Sequence, residues 1–408
     1  MKKALFTIVL FLFGMTVFAQ SLDMSFYTEE YNRSDATVYD LLDILEAVRR
    51  ENRRGIGDFY HNALNVLILK LPIFASAREK LAVQDIVRII LNGLAFEKHI
   101  AAAPNVWLMI QRYDVIHQQN DGFLMNMALV TMGEIGAKNY APNIVTLLEN
   151  FNVDQTPDLQ TRRKIQLAVS GCIKALEALK EPIGVKPVFF ASIGWYDPDI
   201  RAQAAAAFPN IMEDPGEIIS DIIKSPSNGP DVKITALQIM LNTRAQNISK
   251  ARVAAVALET SYTFITPVRE EQRVLRDMRL IAVETIRKMG VADEMVYSYL
   301  DRAYREAYNT STTDFETITL IIAALSAIRT VEAVDILTEN LRKLHARRRS
   351  GPWGITEREI MQKLIPAIAV TGTDSQLTMQ LLSTIQRSTM YTSVEQSWAA
   401  SALKALVK

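Results

Sequence analysis

The sequence predicts an all-α protein, an α-α superhelix of stacked helix pairs, and three observations carry that expectation. Turn-forming residues are scarce: Gly 16 and Pro 14 stand among 408 residues, where an average chain holds about 12% of the two together. A β-sandwich or barrel needs a turn signal every 8–12 residues or so, and this chain does not supply them. Apolar residues recur with a helical period. Val38, Leu41, Leu42, Leu45 and Val48 fall at i, i+3, i+4, i+7 and i+10, as do Ile318, Ile321, Ile322, Leu325 and Ile328 far downstream, each set forming one apolar helix face. Finally, related helix–turn–helix units return along the chain. Composition narrows the class further. One Cys excludes an internal disulfide framework or a Cys-based zinc site. Equal numbers of acidic and basic residues, 45 each, with 49% hydrophobic residues, exclude a disordered, collagenous or wholly basic nucleic-acid-binding chain.

From the start of the chain, Lys2 and Lys3 precede an apolar run from Ala4 to Val17, and Val17-Phe18-Ala19 fits a small-x-Ala cleavage site. Residues 1–19 therefore read as a secretory signal peptide of bacterial style, cut after Ala19. An uncleaved anchor is the competing reading, but the run is shorter than the roughly 20 residues a span requires. The sole cysteine, Cys172, lies far from the cleavage site, so lipid attachment there is excluded. The expected address is the periplasm, with secretion as the other destination. Losing Lys2 and Lys3 turns a neutral chain slightly acidic. The stretch Leu64–Phe74 contains Asn65, Lys70 and Pro72 and reads as a buried segment, so no membrane span is expected after cleavage.

Residues 20–35 lack periodicity and are expected to be a flexible lead. Residues 36–120 look helical without a clear repeat motif and read as N-terminal capping repeats. Helix starts are marked by Asp197-Pro198 and Asp214-Pro215, an N-cap acceptor before a first-turn proline. Thr313 with Glu316, Thr356 with Glu359, and Thr392 with Glu395 have capping-box spacing. Pro187–Trp195 and Tyr262–Val268 are rich in β-branched and aromatic residues; they are read as a helix and an extended loop.

The most informative unit runs from Met127 to Leu148, MALVTMGEIG then AKNYAPNIVTLL. A helix with a small residue on its inner face ends near Gly136, and a second helix follows a short turn. Ile281–Leu300 and Ile322–Leu341 repeat it, with weaker copies elsewhere. Ala128, Cys172, Ala205, Ala236, Ala282, Ala324 and Ala367 serve as anchors, spaced by about 31 to 46 residues, the range of two-helix solenoid repeats. The Ala128 unit resembles a bacterial HEAT repeat, and the resemblance extends over residues 121–408. Armadillo-like and tetratricopeptide-like solenoids remain alternatives, although the spacing does not keep the fixed period of the latter. What the resemblance implies is a scaffold or adaptor that holds a protein partner.

Chemistry-bearing motifs are few. His61, His99, His117 and His345 form no metal-ligand spacing, and no HExxH is present. Cys172, within an apolar run, reads as core filler. No GxSxG elbow, P-loop or GxGxxG occurs, and Gly55-Ile-Gly57 reads as a helix junction. No cofactor, metal or catalytic residue is therefore assigned. The loop Gly194–Asp199 places acids beside Trp195 and Tyr196, the ingredients of a sugar-cleaving site, yet Asp197 and Asp199 also suit a helix start. Two basic clusters stand at helix C-termini: Arg49, Arg50, Arg53 and Arg54, then Lys343, His345 and Arg347–Arg349. The second runs into Trp353. Since Trp, Tyr and Arg dominate binding hot spots, Trp195, Tyr196, Arg347, Arg348, Arg349 and Trp353 are the candidate partner-binding residues.

The expected function is a periplasmic protein-binding scaffold or adaptor with no catalysis, no nucleic-acid partner and no small-molecule substrate. The alternative is an exported polysaccharide- or peptidoglycan-cleaving enzyme with an (α/α) toroid fold. HEAT-like enzymes of the DNA-glycosylase or bilin-lyase type are opposed by the export signal.

Overall fold

The structure, a computed structural model, describes residues 24–74, 76–112, 122–155, 158–309, 313–350, 353–371 and 375–407. The signal-peptide expectation (1–19) and His117 lie outside them. Among the described residues there are twenty α-helices, four short 3₁₀ turns and no strand. The chain divides into two compact units, Met1–Ile211 and Met212–Lys408; the boundary expected at residue 120 falls inside the first.

In the first unit the helices are α1 (Met24–Asn32), α2 (Val38–Glu51), α3 (Gly57–Lys70), α4 (Ala77–Glu97), α5 (Ala103–Arg112), α6 (Gly122–Glu134), α7 (Ala141–Val153), α8 (Leu159–Leu179), α9 (Val185–Ile193) and α10 (Pro198–Ile211). They form two layers. The even-numbered helices stack one on the next from α2 to α10, and the odd-numbered helices make the second layer. The second unit follows the same plan with α11 (Gly216–Lys224), α12 (Pro230–Leu241), α13 (Asn247–Thr263), α14 (Arg269–Met289), α15 (Glu294–Asn309), α16 (Phe315–Ile328), α17 (Val331–Ser350), α18 (Ile355–Thr371), α19 (Gln376–Arg387) and α20 (Ser393–Leu406). Here α12, α14, α16, α18 and α20 form one layer and α11, α13, α15, α17 and α19 the other. Each unit is thus a solenoid-like stack in which every helix packs on its layer neighbour and on a helix of the opposite layer.

Small residues set the even layers. Ala128, Cys172, Ala236, Ala282, Ala324 and Ala367 all lie buried on even-numbered helices. Ala205 does not: it is exposed, and Ala204 and Ala207 are buried instead. In a run of four alanines the repeat spacing cannot tell one register from the next. Between α6 and α8 the approach is closest. A Cβ added at Gly133 would lie 2.9 Å from Ala175 Cα, and one at Gly171 2.9 Å from Asn126 Cα. Asn126 completes the seam by donating to Leu167 O at 2.7 Å.

A second repeated feature is the junction from an even to an odd helix. The residue after the helix takes a left-handed conformation at Asn52, Lys98, Gly136, Lys180, Gly290 and Arg329. The chain then reverses within a few residues, at Ile100–Ala102, Lys138–Tyr140 and Pro182–Gly184 through a single 3₁₀ turn. This is the left-handed helix cap that frees the last carbonyls for local hydrogen bonds. Within residues 36–120 this junction occurs twice, at Asn52 and Lys98.

Several helix starts differ from expectation. Of the stretch 20–35, expected to be a flexible lead, residues 24–32 form α1, anchored by two aromatics one turn apart, Tyr27, which donates to Glu51, and Tyr31, edge-on to Phe59 at 6.1 Å. Two buried positions on a short helix are too few to register as periodicity. The capping box at Thr392–Glu395 forms as expected. At α16 the cap is Asp314, which accepts from Thr317 N, rather than Thr313. Thr356 lies inside α18, whose entry is closed by Glu357 accepting from Gly354 N at 3.0 Å. Helix α11 begins at Gly216, one residue beyond Pro215, with Asp214 accepting from Gly216 N at 3.0 Å. Pro187–Ile193 is helical, and the loop after α13 is extended as expected.

Point substitutions test these features by denaturant unfolding. Gly133→Val or Gly171→Val is expected to lower stability by about 1–3 kcal/mol through overpacking, while Gly229→Ala, whose added Cβ meets nothing within 4 Å, stays near neutral. Lys180→Gly is expected to raise stability by up to about 1 kcal/mol by relieving the left-handed strain; a loss would show that the lysine side chain has a role of its own.

Candidate functional site

The loop with Trp195 and Tyr196 is a clasp within the first unit. Trp195 Nε1 donates to Phe151 O at 3.0 Å. The Arg162 guanidinium lies 5.4 Å from the Trp195 ring centroid and donates to Trp195 O at 3.0 Å. Tyr196 is only 2% exposed and donates to Asn152 Oδ1 at 2.9 Å; burial pushes its phenol pKa far up. Tyr196 is therefore a core residue and not a surface anchor. Asp197, the acid of that loop, faces Arg162 at 3.5 Å. Trp195, Tyr196 and Asp197 thus tie the loop to α7 and α8, while Asp199 stands exposed in the first turn of α10.

The arginine triplet at the end of α17 splits three ways, because successive helical residues point about 100° apart. Arg349 is exposed. Arg348 lies 4.7 Å from the Trp353 ring centroid and 5.9 Å from that of Tyr391, and donates to Met390 O at 2.8 Å. Trp353 meets Tyr391 edge-on at 6.3 Å, and His345 stacks on Tyr391 with Nδ1 2.8 Å from its hydroxyl. Burial raises the Tyr391 phenol to about 12 against the opposing pull of Arg348. Arg348 and Trp353 thus fasten the end of α17 to the turn before α20. Arg347 turns the other way, donating to Tyr308 OH of α15 at 2.9 Å with its guanidinium 5.2 Å from that ring's centroid.

Arg347 opens onto a cleft of about 310 Å³ between α15 and α17, lined by Tyr304, Arg305, Tyr308, Asn309, Asn340, Lys343, Leu344 and Arg347. Three of its polar atoms, Tyr304 OH and both ends of the Asn340 carboxamide, are buried without a hydrogen-bond partner. Tyr304 is 4% and Asn340 2% exposed. Such groups cost about 1–3 kcal/mol each when left unpaired, and they are rare in folded proteins. The rings of Tyr304 and Tyr308 are parallel within 6°, with centroids 6.5 Å apart. Burial raises both phenol pKa values, and Arg347 pulls that of Tyr308 back. The lining holds three cations and no carboxylate. Arg305 leans on Asp301 at 3.1 Å, Lys343 on Glu339 at 3.8 Å and Arg347 on Glu357 at 3.5 Å; these acids sit outside the lining.

Sequence reasoning found Arg347 and missed Tyr304, Tyr308, Asn340 and Lys343 as site residues. A signal was present. Asn340, Lys343 and Arg347 recur at i, i+3 and i+7, and Asn340 interrupts the buried stripe Leu337, Leu341, Leu344.

Other candidates are occupied locally. In the first basic cluster Arg50 pairs with Glu46 at 3.0 Å, Arg53 with Glu51 at 2.7 Å, and Arg54 lies over Phe96 at 5.9 Å. Cys172 is fully buried, which pushes its thiol pKa far up. His61 meets Asn105 Nδ2 at 3.0 Å and the His99 ring at 5.5 Å. Among the described residues no group of three His, Cys, Asp or Glu is placed to hold a metal ion, and no helix is long and apolar enough to cross a membrane.

No family model matches the chain, and no curated protein matches it. Among solved structures it is similar to an engineered protein from the Northeast Structural Genomics Consortium, with 14% identity over 94% of this chain and 93% of that one, at a TM-score of 0.27.

His345 supplies a pH test. Burial first, and the neighbouring Arg349 second, hold its pKa below the ordinary 6.5. A depressed folded pKa means the unfolded chain takes up the proton first as pH falls. The stability it contributes is therefore complete above pH 6.5 and is lost as pH falls through the lowered folded value. The drop in melting temperature between pH 7.5 and pH 5, measured by scanning calorimetry, is expected to be larger for wild type than for His345→Gln. Equal drops would remove His345 as the cause.

Proposed function

We propose that this chain is an exported scaffold or adaptor that works in the periplasm and holds a protein partner on its stacked helices. Four features support this reading. The amino terminus has the pattern of a cleavable signal peptide. The two-helix units resemble HEAT repeats. Of the acids and aromatics that suggested a toroid glycosidase, Asp197, Trp195 and Tyr196 are engaged with Arg162, Phe151 and Asn152, and Asp199 is a first-turn acid of α10. The observation that carries most weight is the cleft between α15 and α17, where unpaired buried polar atoms lie under a cationic rim. Polar groups left without partners in one component of a complex are satisfied when the second arrives.

The test is photo-crosslinking in intact cells. A benzoylphenylalanine at Asn309, on the cleft, is expected to give one defined protein adduct, whereas the same probe at the exposed Leu159 of the first unit gives none. The mature chain recovered from the periplasm should begin at Gln20 by amino-terminal sequencing. Absence of an adduct at Asn309, together with release of sugar from cell-wall glycan by the purified protein, would replace the scaffold with the enzyme.

A further inference from the structure

We infer that the cleft between α15 and α17 is a carboxylate-recognition site, which takes a carboxylate carried by a peptide of the partner. This deepens the scaffold reading and rests on it.

The donors all point to one ligand charge. Lys343, Arg347 and Arg305 bring positive charge to the rim, and no Asp or Glu lines the cleft. Lys343 and Arg347 meet their nearest acids only at 3.8 and 3.5 Å, long for charge-assisted hydrogen bonds, which run at about 2.7–2.9 Å. Both retain donors for an incoming anion. Deeper in, the Asn340 Nδ2 and Tyr304 hydroxyl are donors with no acceptor. A carboxylate offers about four acceptor sites, enough to serve the rim cation and one inner donor together. Asn340 and Tyr304 are covered enough that binding includes a turn of the carboxamide toward the cleft it lines.

Two further observations favour a peptide over a sugar acid as the carrier. Tyr304, Tyr308 and Leu344 bring apolar surface to the lining, which suits an aliphatic stem. A sugar ring would bring several hydroxyl donors to a lining whose charged groups are all donors, and whose side-chain acceptors are the Asn309 and Asn340 amides and the two tyrosine hydroxyls. The Asn340 oxygen, also unpaired, is left to accept a peptide N–H next to the bound carboxylate. The volume of about 310 Å³ admits one side chain with its flanking peptide groups, not a folded surface. A carboxylate of this kind comes from an internal Glu or from a chain's carboxyl terminus.

The experiment is isothermal titration calorimetry of the full mature protein with four probes: Ac-Ala-Ala-Glu-Ala-NH2, Ac-Ala-Ala-Ala-OH, Ac-Ala-Ala-Gln-Ala-NH2 and trigalacturonate. Binding of the first or the second supports the proposal and names the carboxylate's source. Binding of the glutamine peptide as tightly as the glutamate one, binding of trigalacturonate alone, or binding of none overturns it. Lys343→Gln, an exposed change, is expected to weaken the peptide at least about fivefold, and raising salt should weaken it in wild type. Asn340→Leu separates recognition from structure. Removing an unpaired buried amide should leave the melting temperature unchanged or raise it by about 2–4 °C, while peptide binding is lost. Wild-type affinity in Asn340→Leu would overturn the assignment. If a protein adduct forms at Asn309 while both carboxylate peptides fail, the scaffold stands and this inference falls. If the peptides bind and no adduct forms, the carboxylate site stands and the protein carrier proposed for it falls.

Discussion

The constraint on which each unit depends is how closely consecutive even-numbered helices approach. Where α6 meets α8, Gly133 lies against the backbone at Ala175 and Gly171 against that at Asn126, so there is no room for even one added methyl. Elsewhere in the even layers buried alanines stand at the repeat anchors Ala236, Ala282, Ala324 and Ala367. A layer built on small residues has little freedom in its spacing, because packed interiors do not compress. Both layers carry large buried side chains: Tyr31, Phe151 and Phe189 on odd helices, Leu41, Ile90 and Phe208 on even ones. The left-handed residue at six of the even-to-odd junctions works with this spacing. It reverses the chain in so few residues that the odd helix must lie beside the even one it follows.

Buried polar groups in such a stack differ in kind, and among the described residues the unpaired atoms include Tyr31 OH on α1 and Gln166 Nε2 on α8 besides those of Tyr304 and Asn340. Lys233 is completely buried, yet its ammonium donates to the carbonyls of Ile223 and Ser225 at the end of α11 and lies over the Phe264 ring at 5.1 Å. It closes a helix C-terminus, where a cation is favoured by the exposed carbonyls, and burial lowers its pKa without leaving it unpartnered. Thr338 and Thr378 likewise satisfy each other between α17 and α19 at 2.8 Å. Asn340, two residues after Thr338, has neither amide atom paired. The same helix therefore holds one polar group that serves the stack and one that does not. Unlike Thr338, Asn340 gives the stack no hydrogen bond in return for its burial.

The parts of the fold legible in sequence were those governed by local rules. Apolar periodicity located α2, α16 and α17, and a small residue every few dozen positions located the even helices. The capping box at Thr392–Glu395 was legible because both partners are local and nothing competes with them. Failure came where a tertiary contact decided the outcome. Helix α1 exists because Tyr27 and Tyr31 find Glu51 and Phe59, more than twenty residues away. Four of the six left-handed junctions use Asn, Lys or Arg rather than Gly, so a search for glycine recovers only Gly136 and Gly290. At Ala205 a run of like residues hid a one-residue register error.

The site was legible only in part, for a geometric reason. Residues adjacent in sequence, Arg347, Arg348 and Arg349, read as one basic patch, but a helix sends them to a cleft, a clasp and solvent respectively. The cleft instead assembles Tyr304 and Tyr308 from one helix with Asn340, Lys343 and Arg347 from the next odd helix. Its members are neighbours only because α15 and α17 are consecutive in their layer. A recognition site in such a stack is thus written as one helical stripe facing another, a repeat apart, and the sign of its presence is a polar residue breaking an apolar stripe. Asn340 is that break. Trp353 and Tyr196, which drew attention as aromatic hot spots, are used for closure, so aromatic content alone ranks the wrong residues first. Unpaired hydrogen-bonding capacity under a rim of one charge ranks them differently, and it is the ground on which the cleft between α15 and α17 is proposed as the site.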